Sequence, residues 1–451
     1  MENYEYKFTY TGIFSSLYFF QGVDQSIFTA VIPIYLLNKL GSIDSAGLSF
    51  MLSIILTPFV FKLLYGILSD KISFKKLGRR KPWIVGSASF AGLMWIFLAF
   101  MIPYQLVVNP SGIMLFIALI SVLIMIGVAF SDTVMDGFIL DICPKKLLGR
   151  TTGICWAFRS IGIIVGGPII LILITYIDLT YILIAIGIFT LIAALLTLKI
   201  PHKTEFEKIR MIKNLKSMFK KWENWKLYWY SLFLAVVDGV IFTFISLYIL
   251  VQAGRIPAAG ASLKVLKEDL SLYGDQALIT LILGGGVIIG SIIGGWIADV
   301  KTRRACVFSS LALTTIALLL QLIKAPWYIL LIFAFIIGIS MGWKNSAFSS
   351  VSSQYSKLYP EAPSTYFSIC TSFINFGSQI GLIVTGIVFN SVAKITTDVS
   401  IIFGTVFIVM AILSNVSLIP FLLMKRELYE YKLEGKGEGE KGLSIKDTMK
   451  P

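Results

Sequence analysis

Apolar residues run through this chain in long blocks, separated by short polar or basic segments. A helix needs about 20 apolar residues to cross about 30 Å of hydrocarbon. Twelve blocks reach that length, near 12–37, 46–69, 83–102, 112–140, 152–177, 180–199, 227–252, 276–299, 305–323, 327–350, 364–390 and 399–424. The pattern predicts an all-α polytopic membrane protein with twelve transmembrane helices. Two polar segments stand apart. Between 200 and 226, Phe206, Ile209, Ile212, Leu215, Phe219 and Trp222 fall three or four residues apart among lysines. That spacing predicts an amphipathic helix on the inner membrane face. From Lys425 onward the chain is polar and includes G-K-G-E-G-E-K-G, which reads as a disordered tail. The expected organisation is a six-helix half over 1–199, a cytoplasmic amphipathic linker over 200–226, a second six-helix half over 227–424 and a cytoplasmic tail over 425–451.

The two halves share sequence. V-D-Q-S-I-F-T at 23–29 returns as V-D-G-V-I-F-T at 237–243. G-I-L-S-D at 66–70 matches G-W-I-A-D at 295–299, and I-G-I-I-V-G-G at 161–167 matches I-G-L-I-V-T-G at 380–386. Three matches in order, at offsets of 214, 229 and 219, argue for pseudo-symmetric halves, the build of transporters that rock about a midplane site. Asp70 and Asp299 sit at span ends, where a carboxylate opposes the helix dipole and needs an outside partner. Gly66 and Gly295, one turn earlier, suggest close helix approach. With the paired arginines that follow, Arg79–Arg80 and Arg303–Arg304, these residues read as a gate motif.

Composition narrows the class further. Of 451 residues, 57% are hydrophobic and only 14% charged, against roughly 25% charged in soluble proteins. The net charge of +14 lies in alternate loops: Lys71 to Lys81, Lys145 to Arg150, Lys301 to Arg304, and the 200–226 segment. The opposite side carries only Lys39, Arg255, Lys264, Lys267, Lys324 and Lys394. The positive-inside rule then places both termini in the cytoplasm, in a multi-pass protein of the cell membrane, and nucleic acid is not needed to explain the charge. Residues 1–10 lack the features of a cleaved signal, so the first span is expected to stay. Four isolated cysteines and a single histidine, His202, give no metal spacing, no cofactor site and no nucleophile pair. The glycines at 284–286 have no lysine–serine pair after them, so they form no phosphate loop. An enzyme is not expected. The expected partners are a small solute and the bilayer, and the chain is expected to work as a monomer.

Seven ionisable residues lie inside spans: Asp24, Lys62, Asp132, Asp136, Arg159, Asp238 and Lys344. Each costs about 2.5–3.5 kcal/mol when central and unpaired, so each should face a cavity or a partner. Spans 4 and 5 turn near Lys145, which puts Asp132 and Arg159 at similar depth. The expectation is a buried ion-pair cluster of Asp132, Asp136, Arg159 and Lys62, either holding the fold or coupling protons. Lys62 sits in the inner half and could snorkel. Lys344, beside Asn345, would either attract an anionic solute or neutralise Asp24 or Asp238. Gln21 and Gln25 flank Asp24, and Asn375 and Gln379 are one turn apart; these read as cavity lining or interhelical hydrogen bonding. Asp24, Gln21, Gln25, Asp238, Lys344, Asn345, Asn375 and Gln379 are therefore the candidates for solute binding or proton coupling.

The stretch P-F-V-F-K-L-L-Y-G-I-L-S-D-K at 58–71 resembles the second span of muropeptide permeases and acetyl-coenzyme A transporters, in Pro58, Lys62 and Asp70, with G-R-R at 78–80 following at the same spacing. The run S-D-T-V-M-D-G-F-I-L-D-I-C-P-K-K-L-L-G-R and then R-S-I-G-I-I-V-G-G is similar to their fourth and fifth spans, through Asp132, Asp136, Asp141, Pro144, Gly149, Arg159 and Gly162. The resemblance covers residues 50–170 well and the second half weakly. It implies the major facilitator superfamily fold, alternating access and proton coupling; Asp24 and Asp238 lie outside it. The loop G-R-R-K-P-W is more weakly similar to glycoside–cation symporters. A proton-coupled secondary transporter of a polar, anionic or sugar-containing solute is the expected function. A cation-coupled sugar symporter and a non-transporting sensor are the alternatives.

Overall fold

The computed structural model describes residues 6–72, 74, 77–201, 211–265, 269–359 and 363–430. Twelve helices long and apolar enough to cross a membrane make up nearly all of it. Spans 1 to 6 are Phe8–Leu40, Ser45–Ser69, Lys81–Val108, Pro110–Ile139, Ile154–Leu173 and Leu179–Lys199. Spans 7 to 12 are Trp222–Gln252, Ser271–Ala298, Arg303–Leu320, Trp327–Ser356, Thr365–Val392 and Val399–Leu423. Span 7 starts five residues before its apolar block. Trp222, Trp225 and Trp229 continue the helix there, and such amphipathic rings suit the boundary between hydrocarbon and water.

The two halves pack by the same rule. Span 1 lies against span 5, and span 7 against span 11. A side chain at Gly162 would strike the Phe19 carbonyl, and one at Gly166 would meet the Val23 backbone. In the second half, Gly377 lies against the Leu232 carbonyl and Gly381 against that of Val236. Gly162 therefore corresponds to Gly377 and Gly166 to Gly381, an offset of 215. The I-G-x-I-V match at 219 is one helical turn out of register. Gly66 and Gly295 also differ from expectation. A Cβ at Gly295 meets nothing within 4 Å, and one at Gly66 reaches Thr133 only at 3.6 Å. The close approach of spans 8 and 10 is made instead by Gly286, Gly290 and Gly294, which face the backbones of Phe335, Ile339 and Trp343. Gly294 and Gly295 are adjacent in sequence but point about 100° apart on a helix, so the seam takes one and not the other.

The repeated stretch does the same thing twice. Ile27–Val31 and Ile241–Ile245 both form one π-helical turn, again 214 residues apart. The two turns meet where the halves join, and the Thr243 hydroxyl donates to the Thr29 carbonyl at 2.7 Å. Above them a small antiparallel sheet ties the loops of the two halves. Strand β1 (Ser42–Asp44) pairs with β3 (Ser262–Lys264), which pairs with β2 (Ala258–Ala259). Asn38 adds a hydrogen bond to the Asp269 carbonyl at 2.8 Å. The molecule is thus closed at the end opposite the basic loops.

Phe206 and Ile209 of the linker lie outside the described residues. Met211–Lys220 is a helix, and its apolar residues Leu215, Met218 and Phe219 pack onto Trp225 and Tyr228 of span 7. Asn224 donates to the Met218 carbonyl at 2.6 Å and to the Tyr359 hydroxyl at 2.6 Å, and accepts from Tyr366 at 3.1 Å. Burial raises the Tyr359 phenol above its ordinary value, which keeps it neutral in this contact. Beyond span 12 the described residues run to Glu430. Tyr429 is buried against Phe421, and the Glu430 carboxylate accepts from the backbone N–H groups of Arg303 and Arg304 at 3.0 Å, where a helix N-terminus favours an anion. Most of the expected tail, from residue 431 on, lies outside the described residues.

Candidate functional site: charges within the spans

Span 7 is interrupted just before its aspartate. Its first helix ends at Leu234, residues 235–237 form turns, and a short helix restarts at Asp238. Interruption frees backbone carbonyls that the helix would otherwise use. Lys344 of span 10 fills the gap: its ammonium donates to the Leu234 carbonyl at 3.1 Å and forms an ion pair with Asp238. The lysine side chain is 1% exposed, and the aspartate keeps 14% accessible. Neighbouring Asn345 is rotated off this face and exposed; it stays outside the pair.

Asp24 occupies the matching place in span 1, but the helix Phe8–Ser26 runs through it unbroken. Its carboxyl is buried, and Oδ1 has no hydrogen-bond partner. The Trp95 indole faces it, with Nε1 itself unpartnered. Beside it is a small, partly open cavity of about 20 Å³, lined by Tyr18, Gln21, Asp24, Ser131, Asp132 and Thr190 together with apolar side chains. Both amide atoms of Gln21 and the Thr190 hydroxyl are buried there without partners.

The expected cluster of Asp132, Asp136, Arg159 and Lys62 forms in part. Asp132 pairs with Lys62 of span 2, so Lys62 does not snorkel away from the charge, and Arg159 is turned to other partners. Asp136 accepts a hydrogen bond from the Tyr18 hydroxyl. Arg159 donates to the Gln25 side-chain oxygen at 3.0 Å and lies over the Trp156 ring at 4.8 Å. The reason is packing. Span 1 runs between spans 4 and 5, and its Tyr18 and Gln25 take the positions that direct ion pairs would have used. Equal depth along two helices does not make them face each other. Tyr18 lies one turn before Gln21 on the polar stripe of span 1, a spacing readable from sequence. Nothing in the sequence singles out Trp95 or Thr190.

Span 11 divides its polar pair. Asn375 donates to the Phe59 carbonyl of span 2 at 3.2 Å and so fastens the halves together; Gln379 is buried with Oε1 unpartnered. At the basic end, Arg79 grips both oxygens of Asp141 at 3.1 and 3.0 Å, and Arg80 reaches Asp141 at 3.0 Å and Ser69 at 2.8 Å. A Cβ at Gly137 would fall 2.7 Å from the Arg80 guanidinium, so that glycine gives it room. Arg304 lies over the Phe308 ring, and Arg303 is largely buried. The side chains of Asp70 and Asp299 lie outside the described residues, and with them the partners expected for those two acids.

Two six-helix halves, closed on each other at one end and carrying ion pairs within the bilayer region, define a secondary-transporter scaffold. The family model for the Major Facilitator Superfamily matches residues 14–262 and 257–448, and the chain belongs to that superfamily. Solved structures agree on the fold. The nucleoside transporter NupG superposes with a TM-score of 0.64 at 15% identity, over 92% of this chain and 98% of that one. A bacterial homolog of the human lysosomal transporter Spinster, in an inward-facing and unoccupied conformation, gives 0.61 at 14% identity, over 93% and 96%.

Proposed function

We propose that the chain moves a polar, anionic or sugar-containing solute across the cell membrane by alternating access, driven by protons. The observation that carries this reading is the Asp238–Lys344 pair at the break in span 7. A desolvated ammonium whose only charged partner among the described residues is one partly accessible carboxylate can exchange it for an anionic group on a solute. The exchange would release Asp238 and so report occupancy to the hinge of span 7. Discontinuous helices near the midplane are where transporters of this general build hold their substrates. With the basic loops in the cytoplasm, as the positive-inside rule directs, the closed end faces outward. NupG transports nucleosides, as its name states, and a sugar-bearing solute of that class belongs in the panel to be tried. So do muropeptides and acyl-coenzyme A compounds, on the resemblance of residues 50–170.

The experiment has two stages. A panel of sugars, nucleosides, peptides and coenzyme A esters is screened for compounds that raise the melting temperature, since a ligand of the native state stabilises it by mass action. Binders are then tested for uptake into proteoliposomes under an imposed pH gradient. The reading predicts accumulation against the solute gradient that collapses with a protonophore. Uptake indifferent to pH but driven by sodium would replace the proton with a sodium ion. A protein that binds solute and never moves it would be a sensor.

A further inference from the structure

Asp24 poses a charge problem that no described side chain solves. It is 1% exposed, its Oδ1 has no hydrogen bond, and no lysine or arginine pairs with it among the described residues. A lone ionised carboxylate in an apolar interior is so costly that such groups are neutralised by a proton or a counter-ion. The adjoining cavity, about 20 Å³, is large enough for one water molecule and too small for a solute. The unpartnered atoms around it are of both kinds. Gln21 Nε2 is a donor, Asp24 Oδ1 and Gln21 Oε1 are acceptors, and Thr190 Oγ1 can serve as either. A water and a carboxylic acid use both kinds. A bare metal cation would be met by the Gln21 N–H group and by the apolar walls Leu17, Val128 and Met135.

We infer that this pocket is a proton compartment of the N-terminal half: one proton resides on Asp24, and one water joins it to Gln21 and Asp132, apart from the solute site at Asp238 and Lys344. The inference rests on the transporter reading and names where its coupling proton waits. In the transfer step the Asp24 O–H bond breaks, and the water accepts that proton while giving one of its own to the Asp132 carboxylate. Neutral Asp132 then releases Lys62, which stays an ammonium and is 14% exposed. The groups that bear on the step are Tyr18 and Asp132, which line the cavity; Lys62, on Asp132; Asp136, on Tyr18; and Arg159, on Gln25. Spans 3 and 6 contribute Ala88, Ala91 and Thr190 to the lining, none of them titratable.

Infrared difference spectroscopy on the purified full-length chain tests this without any solute. At neutral pH, in sodium and in choline buffers alike, a carboxylic-acid carbonyl band sensitive to deuterium exchange is expected. It should vanish in Asp24→Asn and persist in Asp238→Asn. Gln21→Leu and Thr190→Val keep the acid and should shift the band without abolishing it; they carry the test if Asp24→Asn does not fold. Asp132→Asn should keep the band and slow its decay after an alkaline pH jump by at least an order of magnitude. A band indifferent to Asp24→Asn overturns the assignment. A band seen in choline but not in sodium overturns it in favour of a sodium site. Unchanged decay in Asp132→Asn overturns the relay. Because no transport is measured, these outcomes are separable from the transporter reading, which fails only if uptake fails.

Discussion

Asp24 and Asp238 stand at the same place in the two halves, inside the same repeated stretch, and their surroundings differ. Around Asp238 the helix breaks and a lysine from span 10 arrives; around Asp24 the helix is continuous and a small cavity takes the lysine's place. At nearly the corresponding level of span 4 the first half carries an acid, Asp132, and finds its base on span 2. The duplication conserved the position of the acid in span 1 and span 7. The partner, supplied by another helix, is what separates a paired charge from a lone one.

Removing the partner should break the comparison hardest. Lys344→Met leaves Asp238, largely shielded from water, without a counter-charge and should cost about 3–5 kcal/mol of stability in thermal unfolding. Adding Asp238→Asn to it should recover most of that loss, because no uncompensated charge remains. The glycine seams should respond next, and equally in both halves. Gly166→Leu and Gly381→Leu force a side chain into a neighbouring backbone, and overpacking of this kind costs about 1–3 kcal/mol. Unequal losses would argue against the 215-residue correspondence. A smaller effect separates the two threonines of the repeat. Thr243→Val removes a hydrogen bond between halves and should cost about 1 kcal/mol. It should also raise the labelling of a cysteine placed beneath the β1–β3 sheet. Thr29→Val removes only a bond to its own helix, at Gln25, and should leave that labelling unchanged. The smallest effect is a gain: Gly295→Ala has open space and should stabilise span 8 by about 0.5–1 kcal/mol.

The spans and the duplication were readable from sequence because a bilayer demands length and apolarity of every crossing segment. The need for charge pairing was readable too, since seven ionisable residues in hydrocarbon cannot all stand alone. Who pairs with whom was not. Asp132 and Arg159 were matched by depth, but pairing also needs the two helices to face each other, and span 1 stands between them. The same gap between position and direction explains Gly295, one residue away from the glycine that makes the seam. It also explains Asn375, whose amide turns to the Phe59 carbonyl between the halves. Sequence gives the rung on each helix; the azimuth comes from packing by residues as ordinary as Trp95 and Thr190.

Thermal unfolding of Asp24→Asn and Asp238→Asn, side by side, tests the difference between the halves most directly. Asp238→Asn strips Lys344 of its counter-charge and should lose about 3–5 kcal/mol. Asp24→Asn replaces an acid that has no cationic partner with a neutral group of the same shape, and its melting should match that of the unmutated protein. Equal losses at the two positions, or a larger loss at Asp24, would contradict the account.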